Sequence, residues 1–155
     1  KKSEKKQFWP SRVGYKYKMS NLQAAIGCAQ VERIDELVKR KKDIFSQYRA
    51  NLCDIEEVRL NYEQDYAEIG AWMPTATFDR STKLHREKIQ SAFVAANIDA
   101  RVFFWPLSSL SMFDECNNYN SYDIAERSIN LPSYHDMTQE QIEKVCGVVR
   151  GLIKQ

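Results

Sequence analysis

Two stretches concentrate the side chains that could do chemistry. The first is "VGYKYKMSNLQ", Val13 to Gln23, where lysines alternate with tyrosines just ahead of a helix start. Lys16 and Lys18 are two residues apart, so in an extended segment both ammoniums point to one side. The helix N-terminus beyond them offers unpaired amides and a partial positive charge. A phosphate would sit between the lysines and the amides past Ser20. The same pattern also suits a solvated turn before an ordinary capped helix, or a patch for nucleic acid. The second stretch is "ARVFFWPLSSLSMF", Ala100 to Phe113. Strand alternation would send Arg101 and Phe103 to one side and Val102 and Phe104 to the other. An arginine beside exposed rings suits a phosphate-bearing, partly apolar ligand. A core strand with a snorkelling arginine is the equal alternative.

Other catalytic patterns are thin. The two histidines are His85, expected on the polar face of a helix, and His135, expected in a turn. No GxSxG, HExxH, Walker A or GxGxxG motif occurs. The four cysteines (Cys28, Cys53, Cys116, Cys146) form no CxxC pair and no metal-ligand spacing. Cys28 and Cys146 fall at apolar helix positions and are expected to be buried thiols, which fits a reducing cytoplasm. No apolar run nears the roughly 18 to 20 residues that span a bilayer. The N-terminal "KKSEKKQFWPSR" is basic but has no signal-peptide core.

The net charge of +2 conceals a split. Residues 1–18 hold seven Lys/Arg and one Glu, against sixteen Lys/Arg and twenty Asp/Glu in the rest. A basic arm leads an acidic body, and an acidic body repels a nucleic-acid backbone.

The elements that must position these residues follow from periodicity. Ser20 with Gln23 forms a capping box. Leu22, Ala25, Ile26, Ala29, Ile34, Leu37, Val38, Phe45, Tyr48 and Leu52 then recur at helical spacing, predicting one long helix over 21–52. At 1.5 Å per residue it would reach about 45 Å, enough to connect two bodies. "EVRLNY" alternates as a strand with Val58, Leu60 and Tyr62 on one face. "AWMPTATFD" reads as a second strand, with Pro74 marking an edge or bulge. Ser81 or Thr82 is expected to cap a helix running to about Ala96, with Leu84, Ile89, Ala92 and Phe93 inward. "NIDARVFFWP" predicts a short third strand. A helix around Asp123 to Ser128 and an extended "INLPSY" follow. Thr138 with Gln141 caps a last helix striped by Ile142, Val145, Cys146, Val149, Leu152 and Ile153.

Beyond these physical readings, the ordered motifs resemble a known family. "VGYKYKMSNLQAAIGCAQVERI" closely resembles the GYNYRM–T–N–QAA–G–AQLE signature of the DegT/DnrJ/EryC1/StrS aminotransferases. "WMPT", "ARVFFWPLSSLSMF", "AERSINLPSY" and "TQEQIEKV" continue it at family-like spacing over essentially the whole chain. The resemblance implies a pyridoxal 5'-phosphate enzyme of fold type I that aminates keto groups of nucleotide-linked sugars. The donor would be glutamate, in a cytoplasmic homodimer with a shared active site, without membrane or nucleic acid.

It further implies that this chain is the C-terminal part of such an enzyme. The expected fold class is the small α/β domain of a fold-type-I aminotransferase, about three mostly antiparallel strands with helices, preceded by a long connecting helix. The expected divisions are 1–20 as basic arm and phosphate-contact loop, 21–52 as connecting helix and 53–155 as the small domain. In the family the Schiff-base lysine lies upstream of the first motif, so no catalytic residue is assigned here and the chain alone is expected to be inactive. Lys16 stands where the family has an asparagine that reaches the neighbouring subunit's cofactor phosphate, and Lys18 stands at its arginine; both are assigned to cofactor binding. Arg101, Phe103, Phe104 and Ser108, the last at a position commonly histidine, are assigned to the sugar substrate. No metal is expected. The alternative is a free-standing, non-catalytic module whose arm binds nucleic acid or another anion.

Overall fold

The computed structural model describes residues 9, 10, 12, 14, 15 and 18–154. Its helices are α1 (Asn21–Val31), α2 (Ile34–Leu52), α3 (Arg86–Ala95), α4 (Tyr119–Glu126) and α5 (Gln139–Ile153). Its strands are β1 (Val58–Arg59), β2 (Thr75–Phe78), β3 (Arg101–Val102) and β4 (Ser128–Asn130), in one fully antiparallel sheet of order β1-β2-β4-β3. Among the described residues the sheet has four strands, in line with the small antiparallel sheet of about three that was expected.

Register separates two faces. Ala76, Ile129 and Val102 stand side by side, as do Val58 and Phe78. This apolar face packs with Ile44, Tyr48 and Leu52 of α2, Ile89 and Phe93 of α3, and Ile142, Val145 and Val149 of α5 in one core. The opposite face is polar: Thr75 faces Asn130, and Thr77 faces Ser128 with their hydroxyls 2.9 Å apart. All three residues of β4 are nevertheless buried, because β4 lies between two strands and is covered from both sides.

The long helix expected over 21–52 is broken. Turn residues Glu32 and Arg33 separate α1 from α2, with Arg33 at φ −120°, ψ 23°. Neither proline nor glycine causes the break. The two halves differ in support: α2 is anchored by buried Ile44, Phe45, Tyr48 and Leu52, whereas α1 buries no residue. Unpacked, α1 rests on its own hydrogen bonds. The new helix start is stabilised locally, with Asp35 and Glu36 in the first turn of α2 and Arg33 paired to Glu36 at 2.6 Å. Cys28, expected to be buried, is exposed for the same reason, while Cys146 is buried and its thiol is pushed up to about 11 by that burial.

Three other boundaries moved. β1 stops at Arg59, leaving Tyr62 exposed, because the Asn61 side chain takes the Thr75 amide at 2.7 Å and the Met73 carbonyl at 3.3 Å. Those are groups a longer ladder would have used. The helix expected from Ser81 or Thr82 is preceded by a separate 3-10 turn, Arg80–Thr82, which Asp79 caps at 2.9 Å. Lys83 at φ 52° ends it in a left-handed conformation, so α3 begins at Arg86. His85 is consequently the N-cap of α3 rather than a residue on its polar face. The helix placed around Asp123 to Ser128 begins earlier, and Ser128 belongs to β4.

The proline turn after β4 is fastened by α2. Tyr48 donates to Pro132 O at 2.8 Å, Arg40 Nε to His135 O at 2.8 Å, and Lys41 to Ser133 O. Both capping boxes read from the sequence are present, Ser20–Gln23 on α1 and Thr138–Gln141 on α5. Among the described residues, no helix is long and apolar enough to cross a membrane.

Candidate functional site

The first candidate element is the N-terminus of α1. Ser20 is extended, its hydroxyl accepts from Gln23 N at 3.3 Å, and Gln23 Oε1 accepts from Ser20 N at 2.9 Å. That leaves the amides of Asn21 and Leu22 in the first turn without an intrahelical acceptor. Lys18 is exposed just upstream. Lys16 lies outside the described residues. The described part thus offers first-turn amides and one ammonium, the donor set that takes a phosphate.

The second element follows β3. Phe103, Phe104, Trp105 and Pro106 face Asn120, Ser121 and Ile124 of α4 across a groove of about 360 Å³. Alternation ends with β3 at Val102, so Phe103 and Phe104 do not diverge. They line the same groove, ring centroids 6.4 Å apart. Arg101 is not part of that lining; it is exposed and paired with Asp99 at 2.7 Å. Ser108 is buried in the 3-10 turn Leu107–Ser109. Its hydroxyl accepts from Asn118 Nδ2 at 3.2 Å. Because the Tyr122 hydroxyl gives its proton to Cys116 O at 3.1 Å, Ser108 donates to Tyr122 at 2.7 Å. Ser108 therefore ties its turn to the start of α4. Among the described residues, the side chains lining the groove are aromatic, apolar or neutral polar.

The principal feature missed in the sequence is Arg86. It opens α3, its side chain is 4% exposed, and its guanidinium carbon lies 3.8 Å from the centroid of Trp105. Nη1 donates to Phe103 O at 2.8 Å and Nη2 to Ala125 O. Trp9 of the arm meets Trp105 edge-on, centroids 5.1 Å apart and planes at 89°. A desolvated cation–π contact is worth ~2 kcal/mol, and each hydrogen bond from a charged donor about 1.5–3 kcal/mol. The signal was present: Arg86, Ile89 and Phe93 share one helix face at i, i+3, i+7.

Behind the groove, on α4, Asp123 accepts from Arg127 Nη2 at 2.7 Å and from Arg80 Nε at 3.1 Å. The Arg127 hydrogen bond, then that of Arg80, hold its carboxyl at about 2. The folded pKa lies below the unfolded one of about 3.9, so the stabilisation is present above pH ~4 and is lost as pH falls toward 2. The Asp123→Asn variant should lose about 1 kcal/mol at pH 7, discounted for partial exposure, and match the parent near pH 2. Urea midpoints at the two pH values measure this; an equal deficit at both would refute the ion-pair account.

The sequence profile described as the DegT/DnrJ/EryC1/StrS aminotransferase family matches residues 1–150. The chain belongs to this family. Relatives within the aminotransferase family include a GDP-perosamine synthase of Vibrio cholerae, 30% identical over 150 residues covering 94% of this chain and 41% of the relative. A GDP-perosamine synthase of Escherichia coli O157:H7 is 31% identical over 145 residues, covering 91% of this chain and 38% of that protein. The chain thus spans about two-fifths of the length of the curated relatives it matches. Among solved structures, DesI, crystallised in the presence of its TDP-sugar product, aligns with a TM-score of 0.80 at 19% identity, over 88% of this chain and 36% of that one. The aminotransferase chain and DesI share this fold.

Proposed function

We propose that this chain is the C-terminal part of a pyridoxal-phosphate-dependent aminotransferase that moves the amino group of glutamate onto a nucleotide-linked keto sugar. The observation that carries the reading is the family match over residues 1–150, with GDP-perosamine synthases among the relatives. When bound, the cofactor supplies the electron sink for amino transfer. This chain's residues bind and orient. Lys18, with Lys16 beside it in sequence, and the open amides of Asn21 and Leu22 grip the cofactor phosphate of a neighbouring subunit. Phe103 and Phe104 pack on the sugar, Arg101, exposed just upstream of them in sequence, binds a phosphate of the nucleotide, and Ser108 holds the turn that shapes the groove.

The state of α1 supports a shared site. Leu22 and Ile26, one turn apart on one side of α1, are 73% and 58% exposed, and Val31 near its end is exposed as well. A helix this apolar and this bare is one that the remainder of a dimeric enzyme covers.

The test compares the 155-residue chain with the full product of its gene, each given glutamate and GDP- or dTDP-linked keto sugars. Transfer is expected only from the longer protein, and borohydride should fix the cofactor to a lysine outside residues 1–155. Transfer by the 155-residue chain alone would contradict this assignment. A longer product that neither transfers nor retains cofactor would leave only the family relationship.

A further inference from the structure

Arg86 is buried, and no carboxylate among the described residues hydrogen-bonds it. Glu126 Oε1 comes only to 3.8 Å, and among the described residues Arg86 Nε has no hydrogen-bond partner. A buried, incompletely paired charge is a poor route to stability, and an aliphatic side chain of similar volume commonly serves a core better. What arginine does here that an aliphatic residue cannot is geometric. Its planar fork reaches two carbonyls on different elements, Phe103 O at the groove's near wall and Ala125 O in α4 at its far wall. Its flat face carries the Trp105 ring, and that ring carries the edge of Trp9 from the arm. One side chain therefore ties both walls of the groove together and carries the Trp105 ring that Trp9 meets.

We propose that Arg86 is a positioning residue for substrate recognition: it sets the spacing between the Phe103–Pro106 segment and α4, and orients the Trp105 ring against which Trp9 rests. The inference rests on the aminotransferase reading for its kinetic consequence, but its structural content stands apart from that reading. Lysine would keep the charge but lose the stack and one of the two carbonyl bonds, so charge alone does not perform the role.

The test uses Arg86→Met and Arg86→Lys in two measurements. Amide hydrogen exchange on the full-length protein should rise at residues 102–105 and 107–108 in both variants, with α5 unchanged. In the cofactor-loaded full-length enzyme, KM for the keto-sugar nucleotide should rise about tenfold while the half-reaction with glutamate, followed by the cofactor's visible absorbance, keeps its rate. Rescue by Arg86→Lys, a uniform rise in exchange across the domain, or equal damage to both half-reactions would overturn the proposal and leave Arg86 a general stability residue. If the parent enzyme shows no half-reaction at all, the functional reading fails, and the exchange pattern alone still decides whether Arg86 clamps the groove.

Discussion

The Phe78→Ala variant should lose about 3–5 kcal/mol of unfolding free energy, the largest cost expected of any single substitution in this domain. Phe78 is fully buried at the end of β2, paired with Val58 and packed in the core beneath α2, α3 and α5. The magnitude depends on whether the surroundings can close over the missing ring. Here the backbone is pinned: Phe78 N donates to Arg127 O at 2.9 Å, and Phe78 O accepts from Arg127 Nη1 at 2.5 Å. The sheet cannot sink inward, so the cavity persists. Against a usual domain stability of roughly 5–15 kcal/mol, much of the native population's margin would go, and the melting temperature should fall by roughly 6–20 °C. Urea unfolding followed by circular dichroism measures it, with Phe78→Leu as the milder comparison. A loss below about 1 kcal/mol would mean the core is not centred on this strand.

Asn130→Asp is the second large effect, at about 3 kcal/mol near neutral pH. Asn130 is 3% exposed and sits on the central strand β4. Its Oδ1 accepts from the Thr75 hydroxyl at 2.9 Å, and its Nδ2 donates to Val102 O at 3.1 Å. One amide thus joins β2, β4 and β3. A carboxylate keeps the Thr75 contact but turns an oxygen toward Val102 O, adding a buried charge and losing a donor. Burial raises the new carboxyl's folded pKa above its unfolded value, so the penalty is small below pH ~4 and grows as pH rises through that value. Urea unfolding at pH 4 and pH 7 separates this from simple packing damage, which would be equal at both. Val102 immediately precedes Phe103, so the same substitution should loosen the groove wall that Arg86 holds from the other side.

These two residues illustrate how unevenly the sequence revealed the molecule. The strand that carries Phe78 was legible in "AWMPTATFD", though not the depth to which its ring is buried. Asn130 was read only as part of an extended "INLPSY", and its burial on a central strand shows only once β2 and β3 are seen on either side of it. Sheet edges depend on partners far away in the chain, and the β1 ladder was cut short by Asn61, whose effect is invisible without Thr75 beside it.

The sequence by itself determined what is local. Both capping boxes and the amphipathic stripe of α5 follow from spacing within one or two turns, and the ordered motifs were enough to bring out the family. Tertiary structure decided what depends on support from elsewhere. It broke the helix expected over 21–52 where packing stops, exposed Cys28, brought Phe103 and Phe104 to one groove by ending β3 at Val102, and turned Ser108 inward to Tyr122. It also placed a buried arginine beneath Trp105. Each outcome depends on groups distant in sequence meeting in space, and no periodicity within a single element encodes that meeting.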